Sequence, residues 1–207
     1  MLRHPDATAL ELSSPNLNIS RALIAEDAIA LGADVLLWID ADMTFRPEAA
    51  DELIRQALDL NALVGAVYLE KSFGGRLVVQ LPPGLASLSF FDTGSTIEVM
   101  GVGFGLAAHP VSMLTAIAEH QGLAPREIKR TGSSTKTVRD WFGTDAVPTE
   151  LVTDDYAFCA RARASGFHVF ADTRQRVGHL GEHEFHIEDI RPLSRAKAIT
   201  LRDPGAS

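Results

Sequence analysis

Asp40-Ala41-Asp42 places two carboxylates one residue apart, directly after the apolar run Val35-Leu36-Leu37-Trp38-Ile39. Hard carboxylate oxygens at the end of a strand suit Mg²⁺ or Mn²⁺, which in turn bridges phosphate oxygens. A bare D-x-D pair is common, and the competing reading is a polar turn in which Asp42 helps to start a helix. Thr153-Asp154-Asp155 is a second acidic group. One of its carboxylates could take a proton from an attacking hydroxyl. Acids in the first turn of a helix are also favoured by the dipole without any function. In Val177-Gly178-His179-Leu180-Gly181 a histidine stands between glycines, where imidazole could approach a transition metal. His183 and His186 lie nearby, so an ordinary surface histidine is the alternative. Gly101-Val102-Gly103-Phe104-Gly105 departs from the G-x-G-x-x-G phosphate loop, because Ala108 sits where that pattern would continue. Close backbone packing beside a substrate fits it better than phosphate binding.

The elements around these groups suggest how they are positioned. Ser20 as N-cap, Arg21–Leu31 and then Gly32 read as a helix. Val35–Ile39 is a short continuous apolar run, which predicts a strand buried on both faces. Pro47 opens a second helix with Glu48 and Asp51 in its first turn, and Leu63–Tyr68 is a second apolar strand. Glycine and proline pairs break up residues 74–100, predicting an antiparallel excursion. Pro110 predicts a helix over Val111–His120, and Thr153 one over Asp154–Ser165, followed by a strand over Phe167–Ala171. Helices alternating with buried strands predict one α/β domain over residues 1–207, with a mainly parallel, Rossmann-like sheet. Ligands then bind at the carboxyl ends of the strands. Residues 122–150 are polar and aperiodic, which predicts a flexible lid. There Lys129, Arg130, Lys136 and Arg139 would meet phosphates, and Trp141 and Phe142 would stack on a sugar. Residues 188–207 form a basic tail, expected to be partly helical.

The formal net charge of -8 argues against a nucleic-acid partner, which needs basic surface. A nucleotide remains compatible, because a bound cation supplies positive charge. The lone Cys159 allows no internal disulfide, and no apolar stretch reads as a membrane span or signal peptide. A cytoplasmic protein is the expectation, and homo-oligomers remain open.

Two stretches together resemble a known family: Ser20–Ile54, with Asp40-Ala41-Asp42, and Thr153–Gly181, with Asp154-Asp155 and His179. Their order is similar to that of the GT-A glycosyltransferases, particularly the family 2-like group. The resemblance implies a GT-A-like fold and metal-dependent sugar transfer from a nucleotide-diphosphate sugar to a hydroxyl of a saccharide, lipid or protein. It implies Mn²⁺ or Mg²⁺ on Asp40, Asp42 and His179, with Arg21, Asp40 and Gly103 on the nucleotide side. Asp155 would be the base of an inverting transfer, and Asp154 would orient hydroxyls. Only residues 1–19 precede the first matching helix, so the family's first βα unit is expected to be missing. That leaves a catalytically inactive nucleotide-sugar-binding domain as one alternative. The other is a haloacid-dehalogenase-like phosphatase, because Asp40-Ala41-Asp42-Met43-Thr44 also fits its D-x-D-x-T.

Overall fold

Asn16, not Ser20, starts the first helix: its side-chain oxygen accepts the Ile19 N–H at 3.2 Å. Asparagine caps as well as serine, and the sequence offers both within one turn. In this computed structural model, residues 7–12, 16–73, 75–85, 87–129, 135–144, 153–190 and 198–200 are described. The helices are α1 (Leu17–Ala30), α2 (Pro47–Leu60), α3 (Ser112–Gln121) and α4 (Asp154–Ala164). The strands are β1 (Val35–Ile39), β2 (Met43–Phe45), β3 (Leu63–Ala66), β4 (Val79–Gln80), β5 (Ser87–Ser89), β6 (Thr96–Glu98) and β7 (Gly101–Val102). They continue as β8 (Leu106–Pro110), β9 (Arg126–Lys129), β10 (Thr135–Val138), β11 (Val169–Asp172), β12 (Val177–Leu180), β13 (Glu184–Phe185) and β14 (Ala198–Thr200).

The main sheet has the order β1-β8-β3-β11-β6. Only the β3–β11 pair within it is parallel; β8 runs against both β1 and β3, and β6 runs against β11. This overturns the expected mainly parallel, Rossmann-like sheet. The physical reason is that an apolar run reports burial and carries no record of strand direction. Leu106–Pro110, which the sequence reading did not count as a strand, is buried along its whole length between β1 and β3. β1 is therefore at the edge of the sheet, with Leu36 and Trp38 turned inward, and is not buried on both faces as expected. Strands β1, β3 and β11 nonetheless all point the same way. Their carboxyl ends and the amino end of β8 share one edge of the sheet.

Smaller pairings complete the fold. β12 lies between β13 and β2, and β4 pairs antiparallel with β7. β14 pairs with β5, so residues 198–200 are strand where the sequence suggested helix. The aromatic centre of the core is Trp38, Phe104, Phe142 and Phe158, with the last two rings stacked at 5.0 Å. Cys159 is buried on α4, where its thiol faces the Val102 carbonyl at 3.6 Å. Burial pushes that thiol up to about 12. Among the described residues, no helix is long and apolar enough to cross a membrane.

The expected lid is only partly within the described residues, because 130–134 and 145–150, including Arg130, lie outside them. What is described is a β9–β10 hairpin fixed to α1, through Lys136–Asp27 at 2.8 Å and Arg139–Glu26 at 2.9 Å. Trp141 and Phe142 are wholly buried, and the Trp141 ring N–H donates to the Leu114 carbonyl at 2.9 Å. Neither ring can stack on a sugar from this position. Both fill the core, a fate that spacing alone does not distinguish from an exposed platform.

His109, in the middle of this core, gives a pH dependence. Its Nε2 accepts the Trp38 indole N–H at 3.0 Å, and its Nδ1–H donates to the Pro110 carbonyl at 2.9 Å. Burial pulls its pKa down to about 4, so the folded protein holds it neutral. An unfolded chain takes up the proton below about pH 6.5, so stability falls as pH drops from there toward the folded value. Urea denaturation should lose about 2 kcal/mol between roughly pH 7 and pH 5, and His109→Gln should flatten that loss.

Candidate functional site

The shared strand edge brings the chemical groups together. Asp40 leaves the end of β1, and its N–H donates to the Gly105 carbonyl at 3.0 Å. The next N–H at that turn, Gly105's, donates to the Tyr68 hydroxyl at 3.1 Å. Tyr68 follows β3, so Gly105 ties the ends of two strands to one point. The glycines here make room. A Cβ on Gly103 would strike the Tyr68 hydroxyl and Val78, and one on Gly105 would meet Met43 Sδ and Tyr68 at 2.8 Å. Gly103 is buried and packs its backbone against Tyr68 and Val78.

Arg21 reaches this edge from α1 and is 4% exposed. Its Nη1 bonds to Asp154 and its Nη2 lies 3.4 Å from Asp40. The guanidinium also sits 5.3 Å from the centre of the Phe104 ring. Arg21 was expected to face a nucleotide; here it binds two carboxylates from β1 and α4 to each other. Those partners are the first Asp of the D-x-D pair and the first Asp of α4, which are 114 positions apart in the chain. Removing the cation leaves two carboxylates facing each other with partial access to water. Arg21→Met should cost about 2 kcal/mol of stability in urea denaturation, below the figure for a fully buried pair because Asp40 is partly solvated. An unchanged midpoint would show that the bridge is dispensable.

Asp155 stands next along α4. The Thr153 hydroxyl donates to its Oδ1, and so does the Tyr156 N–H at 2.9 Å. Thr153 therefore does not cap α4 with its hydroxyl, as expected, but supports a carboxylate. Burial raises the Asp155 pKa, and the charge of Asp154 adds to this. The Thr153 bond and the charge of Arg21 oppose the rise without cancelling it. Desolvation is the largest influence on this carboxylate. Asp40 is raised as well, by burial first and then by Asp42 and Asp155, against the pull of Arg21.

Asp42 and His179 meet a few residues away, because β12 pairs with β2 in a register that sets His179 opposite Met43. His179 Nε2 lies 3.7 Å from Asp42 Oδ1. The His179 Nδ1 is 2.8 Å from the Leu69 carbonyl, which can only accept, so Nδ1 carries the proton. In the neutral ring Nε2 then presents a lone pair to Asp42. That Asp42 oxygen is buried and has no hydrogen-bond partner. An unpaired buried carboxylate oxygen facing a ring lone pair is the arrangement a divalent cation relieves. Two ligands of one ion with bonds of about 2.1 Å stand roughly 3 to 4 Å apart, which the pair matches. The mixed oxygen and nitrogen set suits Mn²⁺ better than Mg²⁺. Among the described residues no group of three or more His, Cys, Asp or Glu side chains gathers into a fuller metal site. A hard cation of this kind commonly uses one or two protein ligands and completes its shell with substrate phosphates and water. Asp40 does not join the pair and faces Arg21 instead. His183 and His186 are engaged elsewhere, with Asp189 at 3.6 Å and Glu184 at 3.4 Å.

One neighbour was absent from the sequence reading. Lys71 bonds through Nζ to the other oxygen of Asp42. Burial tends to raise the Asp42 pKa, but the Lys71 bond and charge outweigh it and hold it below the ordinary range. Lys71 follows the apolar strand at the same carboxyl edge as Asp40, and that placement was the available signal. A lysine in a glycine-containing loop has no periodicity to mark it.

No family model matches the chain, and no curated protein matches it. Among solved structures the chain is similar to "Crystal Structure of A197 from STIV", with a TM-score of 0.51 and 14% identity. The match covers 81% of this chain and 69% of that one, and at this identity it speaks to the fold alone.

Proposed function

We propose that this protein is a metal-dependent glycosyltransferase that takes a sugar from a nucleotide-diphosphate donor. The observation that carries the reading is the buried, unpartnered Asp42 Oδ1 facing His179 Nε2. A bound Mn²⁺ would neutralise the diphosphate and stabilise it as a leaving group. Asp42 and His179 are the residues that would hold it. Arg21 keeps Asp154 beside Asp40, so the acid pair of α4 is tied to the end of β1. Asp155, with both of its hydrogen bonds on Oδ1, has Oδ2 to accept the proton of an acceptor hydroxyl. Its raised pKa makes it a stronger base than an ordinary aspartate. Loss of that proton on one face and departure of the diphosphate on the other is a single, inverting displacement. The test is a panel of nucleotide sugars incubated with the protein and Mn²⁺, with release of nucleoside diphosphate as the readout. Metal-dependent release from one donor class supports the reading. No binding and no release across the panel would reject it.

A further inference from the structure

We infer that Lys71 is a resident counter-ion for Asp42, which it exchanges for a donor phosphate when a divalent cation loads. This rests on the metal reading of Asp42 and His179 and concerns how that site is regulated. The loop after β3 serves both ligands at once. Its Leu69 carbonyl fixes the tautomer of His179, and its Lys71 ammonium bonds to Asp42. The loop is itself held, by a bridge between Leu69 and Leu77 and by Glu70 N–H on the Arg76 carbonyl at 2.9 Å. The backbone of the loop is therefore anchored, while the Lys71 side chain is 37% exposed. Its aliphatic stem lies along Gly181, where the absence of a side chain leaves it a track.

Lys71 occupies one oxygen of Asp42 and leaves the other, the buried one, without a partner. A monovalent ammonium thus balances the carboxylate from one side only, and the second oxygen points at His179. When a divalent ion enters between Asp42 and His179, it and the ammonium share one carboxylate. Like charges at that range repel strongly, more so with one oxygen shielded from water. The same ion brings a diphosphate, whose oxygens are better partners for an ammonium than a carboxylate already bound to metal. The four-carbon stem lets the ammonium move without the backbone following. Empty of metal, the protein keeps Asp42 charged and paired. Loaded, it gains a second cation on the donor.

This predicts opposite effects of one substitution on two ligands. Probes are Mn²⁺ alone, followed by the spin-resonance signal of free ion, and inorganic pyrophosphate at saturating Mn²⁺, followed by calorimetry. Lys71→Met should bind Mn²⁺ alone about threefold more tightly, because a partly exposed competing pair is gone. The same variant should bind Mn²⁺-pyrophosphate about tenfold more weakly, because a charged hydrogen bond is lost. Lys71→Gln, which is polar but shorter and uncharged, should behave in the same way, and Lys71→Arg should keep pyrophosphate affinity within about twofold. Affinities that are unchanged in both variants, or that move in the same direction for both ligands, overturn the exchange. If the wild type binds Mn²⁺ and Asp42→Asn loses it, such a result removes the Lys71 role alone. If the wild type binds no Mn²⁺ with or without pyrophosphate, the metal reading and the exchange both fall.

Discussion

Asp155→Asn should lower turnover by about 10²-fold or more while donor binding survives. The substitution keeps the shape of the side chain and its place at the start of α4, and removes only basicity. A sugar hydroxyl is a poor nucleophile whose proton must leave as the new bond forms. The variant can still accept the Thr153 and Tyr156 hydrogen bonds through its amide oxygen, so the local fold should persist. The pH profile gives a second readout. The Asp155 pKa is raised, so wild-type turnover should fall as pH drops through a value above the ordinary aspartate range, and the Asn variant should lose that limb. Asp154→Asn should instead act through the Arg21 bridge and cost stability as well as rate. A product with the donor's own anomeric configuration would sink the inverting scheme, leaving Asp155 to position the sugar.

The second large effect is on the metal. Asp42→Ala should weaken Mn²⁺-dependent nucleotide binding by about 10²-fold or more, because loss of an outer-shell partner alone costs 10- to 100-fold. His179→Ala should follow it in direction. Asp40→Asn should weaken metal binding much less, since Asp40 is paired with Arg21 and stands apart from the Asp42–His179 contact. Equal losses in Asp40 and Asp42 variants would restore the three-ligand set expected from the sequence. Nucleotide binding that is unchanged by Asp42→Ala would remove the metal site altogether.

The candidate site was more legible in the sequence than the sheet that carries it. Asp40, Asp42, Asp154 and Asp155 could be singled out because they stand beside the end or start of an element, whereas His179 lies within β12 and was marked only by its flanking glycines. β1 and β3 run the same way in spite of the different topology, so the strand ends that the sequence pointed to share one edge. What they flank is β8, running oppositely, and the alternation of helices and strands held no sign of it. Side-chain fate was equally hidden. Trp141 and Phe142 sit in a polar segment, and nothing local says that they enter the core beside Phe104. Arg21 was found from resemblance, but its partners were not, because Asp154 lies far along the chain. Lys71 had only its place after an apolar strand to mark it, and its pairing with Asp42 depends on the fold.

Cys159 gives the protein a built-in gauge of its own opening. The thiol is sealed beneath α4, against the Val102 carbonyl, and its ionisation is suppressed. Thiolate is the species that reacts with alkylating and disulfide reagents, so the folded state is silent toward them. Reagent uptake then counts excursions in which α4 lifts from β7. Because the same helix begins with Asp154 and Asp155, such labelling times the detachment of the acidic pair from the rest of the site. Ligands that tighten the site should slow the labelling in proportion to their hold on that helix, with no need for a substrate to turn over.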